Sequence, residues 1–192
     1  MASASPRRQK FFSDLGIPFI AIPVDGEPAP RKEEAGACYA ARAASTKLRQ
    51  CRKKLEDAAT CLILAADTCV VLNGQIMGKP ADQMDAYRML TALKGKTCTV
   101  FSAACISFPK NKPAEIATVE SARVKFNQWP DEIIKAYIKT GEPLDKAGAF
   151  AIQGIGSFLI DFIDGNFTTV IGLPGSWIIR KMLEYDVIFP CV

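Results

Sequence analysis

Asp67 stands inside an otherwise apolar run, with Cys61-Leu62-Ile63-Leu64-Ala65-Ala66 before it and Cys69-Val70-Val71-Leu72 after Thr68. An ionised carboxylate in a buried strand costs several kcal/mol unless it is paired, metal-bound or protonated, so it asks for a partner. Asn73-Gly74 follows, a dipeptide that accepts the positive φ values of a tight type I′ hairpin turn. The returning strand would carry Lys79 back alongside Asp67. An acid facing an ammonium there could handle a proton beside a bound anion, or could serve as a structural ion pair.

Three other places carry residues of the same character. Ser5-Pro6-Arg7-Arg8 reads as a helix start, with Ser5 as N-cap and Pro6 at the first helical position. Free backbone N–H groups, a hydroxyl and two guanidinium groups suit phosphate oxygens, although a capped helix with solvated arginines would look the same. Lys47 continues the face marked by Ala40, Ala43 and Ala44, so it points inward or into a groove. The segment from Gly141 to Gly154 sets Glu142, Asp145, Lys146 and Gln153 among glycines. Backbone of that kind can pass close to a ligand, and a glutamine amide can donate and accept at once to a base edge, but an ordinary turn-rich connection has the same composition.

The elements that would position these groups follow from periodicity and punctuation. Helices are expected at residues 6–15, 36–57, 81–93 and 130–140, and a last one starts at Pro174. Met84, Tyr87, Met89 and Leu90 would face the core in the third, Ile133, Ile134, Tyr137 and Ile138 in the fourth, and Trp177, Ile178 and Met182 in the last. Strands are expected at residues 17–23, through the Asp67 hairpin, at 97–108 and 115–126 around the turn at 109–113, and as a second hairpin from 156–163 and 166–172. No repeat or low-complexity tract interrupts this order, so one domain of two intimately joined lobes over residues 1–192 is expected.

Composition narrows the chemistry. The 192 residues contain no histidine, which removes Ser-His-Asp and Cys-His mechanisms and any His-bound metal. Carboxylates, lysines and arginines remain. The seven cysteines, at 38, 51, 61, 69, 98, 105 and 191, form no Cys-x-x-Cys pair and several fall in apolar strands, so reduced core thiols are expected. A net charge of +4 is too mild to imply nucleic acid, and the basic residues 49 to 54 lack interleaved aromatics. No apolar run approaches the roughly 20 residues of a membrane helix, and the first residues carry no signal-peptide pattern. A cytoplasmic location without membrane or nucleic-acid partners is the expectation.

Taken together and in order, Ser3-Ala4-Ser5-Pro6-Arg7-Arg8, Ala66-Asp67-Thr68, Gly78-Lys79-Pro80, Gly141-Glu142-Pro143-Leu144-Asp145-Lys146-Ala147-Gly148 with Ile152-Gln153-Gly154, and Gly172-Leu173-Pro174 resemble the Maf family. The likeness runs from about residue 2 to 185. It implies a house-cleaning nucleoside triphosphate pyrophosphatase with an α/β fold similar to inosine triphosphate pyrophosphatase: a long mixed sheet, flanking helices and a deep groove between two lobes. Ala66-Asp67-Thr68 and Ile152-Gln153-Gly154 resemble the branch acting on dTTP and UTP, with modified pyrimidine nucleotides as further substrates. The branch acting on 7-methyl-GTP is the alternative substrate reading. A non-catalytic nucleotide sensor tied to septum formation is the alternative of a different class.

The same resemblance implies roles. Asp67 matches the proton acceptor, and Arg7 or Arg8, Thr68 and Gln153 match positions tied to substrate choice. Lys47 and Lys79 match phosphate-contacting lysines, and Ser5, Asp145 and Lys146 belong to the substrate-binding motifs. A divalent cation, Mg²⁺ with Mn²⁺ or Co²⁺ as alternatives, is expected at Asp67 with Glu27, the latter near the family's acidic first-loop position. Homodimers are usual among such relatives. Gly175 departs from the pattern, which has an apolar residue there, and the apolar residues that precede the first motif in the family are nearly absent.

Overall fold

The computed structural model describes residues 1–24, 26, 28–109 and 115–188. Glu27, most of the turn at 109–113 and Cys191 therefore lie outside the described residues. The centre is strand β1 (Ile63–Leu72), which continues through the Asn73-Gly74 turn into β2 (Gln75–Met77). Asn73 and Gly74 have φ of 51° and 79°, both positive as a type I′ turn requires.

Strands β3 (Thr97–Ser107), β4 (Ile116–Phe126) and β5 (Ile160–Asp164) complete a sheet of order β2-β1-β3-β4-β5. Every pairing among these named strands is antiparallel. Parallel pairing enters through one bridge, Ala2 to Ala65, in which the Ala2 N–H donates to the Leu64 carbonyl at 2.7 Å.

The helices are α1 (Pro6–Asp14), α2 (Gly36–Lys53), α3 (Gln83–Leu93), α4 (Asp131–Lys139), α5 (Phe167–Ile171) and α6 (Gly175–Glu184). Helices cover both faces of β1, which is why it reads as a continuous apolar run and not as an alternating one. Ile63, Ala65 and Cys69 pack against Ala40, Ala43, Ala44 and Leu48 of α2, whose alanines let the helix lie close. On the opposite face Leu64 and Ala66 meet Phe12, Leu173, Ile178 and Met182. Further along that face, Val70 and Leu72 join Leu90, Leu93, Ile134, Tyr137 and Phe150. A Cβ on Gly36, at the start of α2, would lie 2.5 Å from Val71 Cγ2, so the helix end abuts the sheet directly.

Several expected elements take another form. Residues 17–23 form no strand; the Met1 ammonium donates to the Ile20 carbonyl at 2.7 Å and the Ile22 N–H donates to the Met1 carbonyl at 2.9 Å, too few bonds for a ladder. The expected second hairpin is a 3-10 turn (Ile155–Leu159), β5 paired to β4, and helix α5. Asn166 causes the last change, because its side chain accepts from the Thr168 N–H at 2.9 Å and so caps a helix. Helix α2 ends at Lys53, and Met84 and Ile133 are exposed instead of facing the core. Gly175, where the family pattern has an apolar residue, leaves room for Phe11: a Cβ there would lie 2.7 Å from its ring. Among the described residues no cysteine is in a disulfide: Cys51, Cys69, Cys98 and Cys105 are buried thiols, while Cys38 and Cys61 are exposed. Among the described residues no helix is long and apolar enough to cross a membrane.

Candidate active site

Beyond β3, the other edge of β1 is covered twice, by Ala2 at Ala65 and by β2 from Val70 to Leu72, leaving residues 66–69 open between them. A cavity of about 460 Å³ lies over this gap. Successive strand residues point to opposite faces, yet both Asp67 and Thr68 reach the cavity because it wraps the open edge. Ser5, Arg7, Arg8, Lys47, Lys79, Asp145 and Lys146 also line it, so the structure gathers all but one of the described candidate residues.

Asp67 is only 2% exposed, and its partner is Lys47, whose ammonium donates to Oδ1. The expected pairing with Lys79 is therefore replaced. The hairpin does return Lys79 to the cavity, where it stays exposed without an ion pair to a described carboxylate, because the alanine stripe of α2 has already brought Lys47 to Asp67. A lysine on a long stem reaching from a close-packed helix fills that place first.

The two arginines divide. Arg8 is buried and spends its guanidinium on the protein: Nε donates to the Gly172 carbonyl at 2.8 Å, Nη1 to the Ala66 carbonyl at 2.9 Å and Nη2 to Thr68 Oγ1 at 3.0 Å. It thus satisfies a carbonyl of the open β1 edge and ties α1 to the turn after α5. Arg7, half-buried at the cavity wall, is the guanidinium left facing the space. Ser5 has the extended backbone of an N-cap but makes no capping bond from its side chain.

Lys146 donates to Asp145 Oδ1 at 2.5 Å and to the Glu142 carbonyl at 2.6 Å. Partial burial would raise the Asp145 pKa, but the hydrogen bond and charge of Lys146, with Arg7 nearby, hold it below the ordinary carboxylate value. Gly148, at φ +70°, donates its N–H to the Gly78 carbonyl at 2.9 Å, which joins this turn to the segment carrying Lys79. Gln153 is the exception among the candidates. Ala151 and Ile152 line the cavity and Gln153 does not; Gly154 (φ +93°) then bends the chain, and the Glu142 carboxylate takes the Ile155 and Gly156 N–H groups at 3.0 and 2.7 Å.

Sequence reasoning missed Ser102, fully buried on β3 and bonded to Thr68 at 2.8 Å. Its signal was a hydroxyl in a core strand between Phe101 and Ala103. It also missed the apolar wall of Val70, Val100, Phe150 and Val170. Cations on one side and apolar side chains on another suit a ligand with a polyanionic tail and a flat, less polar end.

The donor set bears on a metal as follows. Among the described residues no three His, Cys, Asp or Glu side chains cluster to hold an ion, and Asp67 and Asp145 are the carboxylates of the cavity wall. Mg²⁺ keeps several waters and takes one or two carboxylates plus substrate phosphates, so this set fits an ion that arrives with a triphosphate and not a protein-built cage.

A family model described as Maf-like protein matches residues 1–185. A dTTP/UTP pyrophosphatase of Nitratidesulfovibrio vulgaris is 45% identical over 96% of this chain and 86% of its own. One from Oleidesulfovibrio alaskensis is 44% identical over 99% of this chain and 86% of its own. A solved nucleoside-triphosphatase / dITP/XTP pyrophosphatase of Mycobacterium abscessus aligns over 98% of this chain and 95% of its own at 13% identity, with a TM-score of 0.41.

Proposed function

The chain belongs to the Maf-like protein family, and from that premise we propose that it hydrolyses dTTP and UTP to the nucleoside monophosphate and pyrophosphate. The observation that carries this reading is the buried Asp67–Lys47 pair at the wall of a cavity also lined by Arg7, Lys79 and Lys146. Relatives at 44–45% identity bearing the name dTTP/UTP pyrophosphatase support the substrate class.

Asp67 takes a proton from the attacking water as the water oxygen bonds to the α-phosphorus, the bond from that phosphorus to the α–β bridging oxygen breaks, and pyrophosphate leaves with that oxygen. Lys47 orients the carboxylate and offsets its charge. Arg7, Lys79 and Lys146 hold phosphate oxygens and stabilise the charge that builds on the leaving group, a type of contact whose loss costs on the order of a hundredfold in rate. A divalent ion, taken as Mg²⁺, would be held by Asp67 and phosphate oxygens and would neutralise part of that charge. Glu27, outside the described residues, is a further proposed ligand. We place the enzyme in the cytoplasm, as a single domain of two intimately joined lobes that pairs into a homodimer.

The test is product analysis with purified protein, Mg²⁺ and a panel of triphosphates. dTTP and UTP should turn over well ahead of ATP with pyrophosphate as product. Equal rates on ATP, preference for 7-methyl-GTP, release of single phosphates, or tight binding without turnover would each overturn the reading.

A further inference from the structure

Thr68 and Ser102 share a hydrogen bond that could run either way on distance alone, but the groups around it leave one direction. Ser102 Oγ lies 2.7 Å from the carbonyl of Thr169, which can only accept, so the single Ser102 proton is donated there. The 2.8 Å contact between Ser102 and Thr68 must then carry the Thr68 proton toward Ser102. On its other side Thr68 Oγ1 accepts from Arg8 Nη2 at 3.0 Å, and an arginine never accepts. Thr68 keeps one lone pair and no proton to offer.

That lone pair has somewhere to go. Thr68 lines the cavity, and Gly172 beside it has no side chain: a Cβ there would sit 3.2 Å from Thr68 Oγ1. A hydroxyl locked as an acceptor gives nothing to phosphate oxygens, which need donors. It suits an N–H. Uracil and thymine present an N–H at ring position 3 between two carbonyls, whereas cytosine presents a bare nitrogen acceptor at the same place.

We propose that Ser102 is a positioning residue for base choice: by giving its proton to Thr169 it compels Thr68 to meet the base as an acceptor, favouring uracil and thymine over cytosine. This rests on the pyrimidine triphosphatase reading above. Ser102 itself is fully buried and does not line the cavity, so its effect passes through Thr68.

The experiment compares kcat/KM for UTP and CTP, with Mg²⁺ and pyrophosphate detection, in wild type, Ser102→Ala and Ser102→Thr. Removing the Ser102 hydroxyl frees the Thr68 proton to turn toward a cytosine nitrogen, so the UTP-to-CTP ratio should fall by about tenfold or more, the worth of one hydrogen bond. Ser102→Thr retains the hydroxyl and should keep the wild-type ratio. A Ser102→Ala enzyme that is slower on both substrates by the same factor overturns this inference and leaves the pyrophosphatase reading standing. A wild type that releases no pyrophosphate from UTP overturns both. Should Ser102→Ala not fold, 3-methyluridine triphosphate on the wild type decides: hydrolysis as fast as UTP overturns the inference, and a loss of about tenfold or more supports it.

Discussion

Replacing Lys47 by methionine would keep most of the volume of the lysine stem while deleting its charge. The carboxylate it leaves behind is 2% exposed, so bulk water can do little to replace the ammonium. Breaking a buried pair by deleting one partner costs about 3–5 kcal/mol. The opposite deletion, Asp67→Asn, is milder. Lys47 has a side chain 15% exposed at the cavity wall, its stem lets the ammonium reach water, and the amide can still accept a hydrogen bond, so the loss should be about 1–2 kcal/mol. At about 2–4 °C per kcal/mol for a chain of this size, Lys47→Met should melt at least about 6 °C below wild type, and Asp67→Asn only a few degrees below. The double variant should recover much of the difference, since no buried charge then lacks a counter-ion. Thermal and urea unfolding followed by circular dichroism reads all three, and pyrophosphate release should fall by about a hundredfold or more in Asp67→Asn. A Lys47→Met protein as stable as Asp67→Asn, or a double variant whose losses simply add, would show that the pair is not the low-dielectric contact described.

Lys79→Met should lower the rate of pyrophosphate release by about a hundredfold, while the melting temperature hardly moves, because the side chain is exposed. Gly36→Ala should destabilise by about 1–3 kcal/mol, read as a lower urea midpoint, since the new methyl would meet Val71 Cγ2 at 2.5 Å and Phe101 Cδ2 at 2.9 Å. Glu34 is held down to about 2 by the hydrogen bond from Arg42 and then by the Arg31 N–H. A carboxylate with a depressed folded pKa stabilises fully above its ordinary value of 4.5 and loses that contribution as pH falls toward about 2. Glu34→Gln should therefore lower the urea midpoint at pH 7, with the gap from wild type closing between pH 4.5 and 2; a constant gap across that window would refute the linkage.

What could be read before any coordinates were known is what depends on neighbours in the chain. The β1 hairpin was legible because Asn73-Gly74 needs no tertiary help to prefer a type I′ turn. The inward position of Lys47 was legible because Ala40, Ala43 and Ala44 set the face of α2. Residues 166–172 misled because Phe167, Val170 and Ile171 suit a strand equally well, and the Asn166 cap tipped them into a helix. The partner of Asp67 misled because pairing was inferred from the hairpin alone, while a helix packed across the sheet supplied the nearer cation.

Residue types by themselves confined candidate side-chain chemistry to carboxylates, lysines and arginines and put an acid in a core strand, while the glycine-rich segment could be read either as a ligand-facing turn or as an ordinary connection. Only the folded arrangement decided that Arg8 is a brace and Arg7 faces the cavity, that Gln153 falls outside the wall, and that Ser102 governs the proton of Thr68. The reason is one of range. Turn and helix preferences act over a few residues, whereas the direction of a side chain's donors depends on acceptors far along the chain, as Gly172 is from Arg8, 164 positions away.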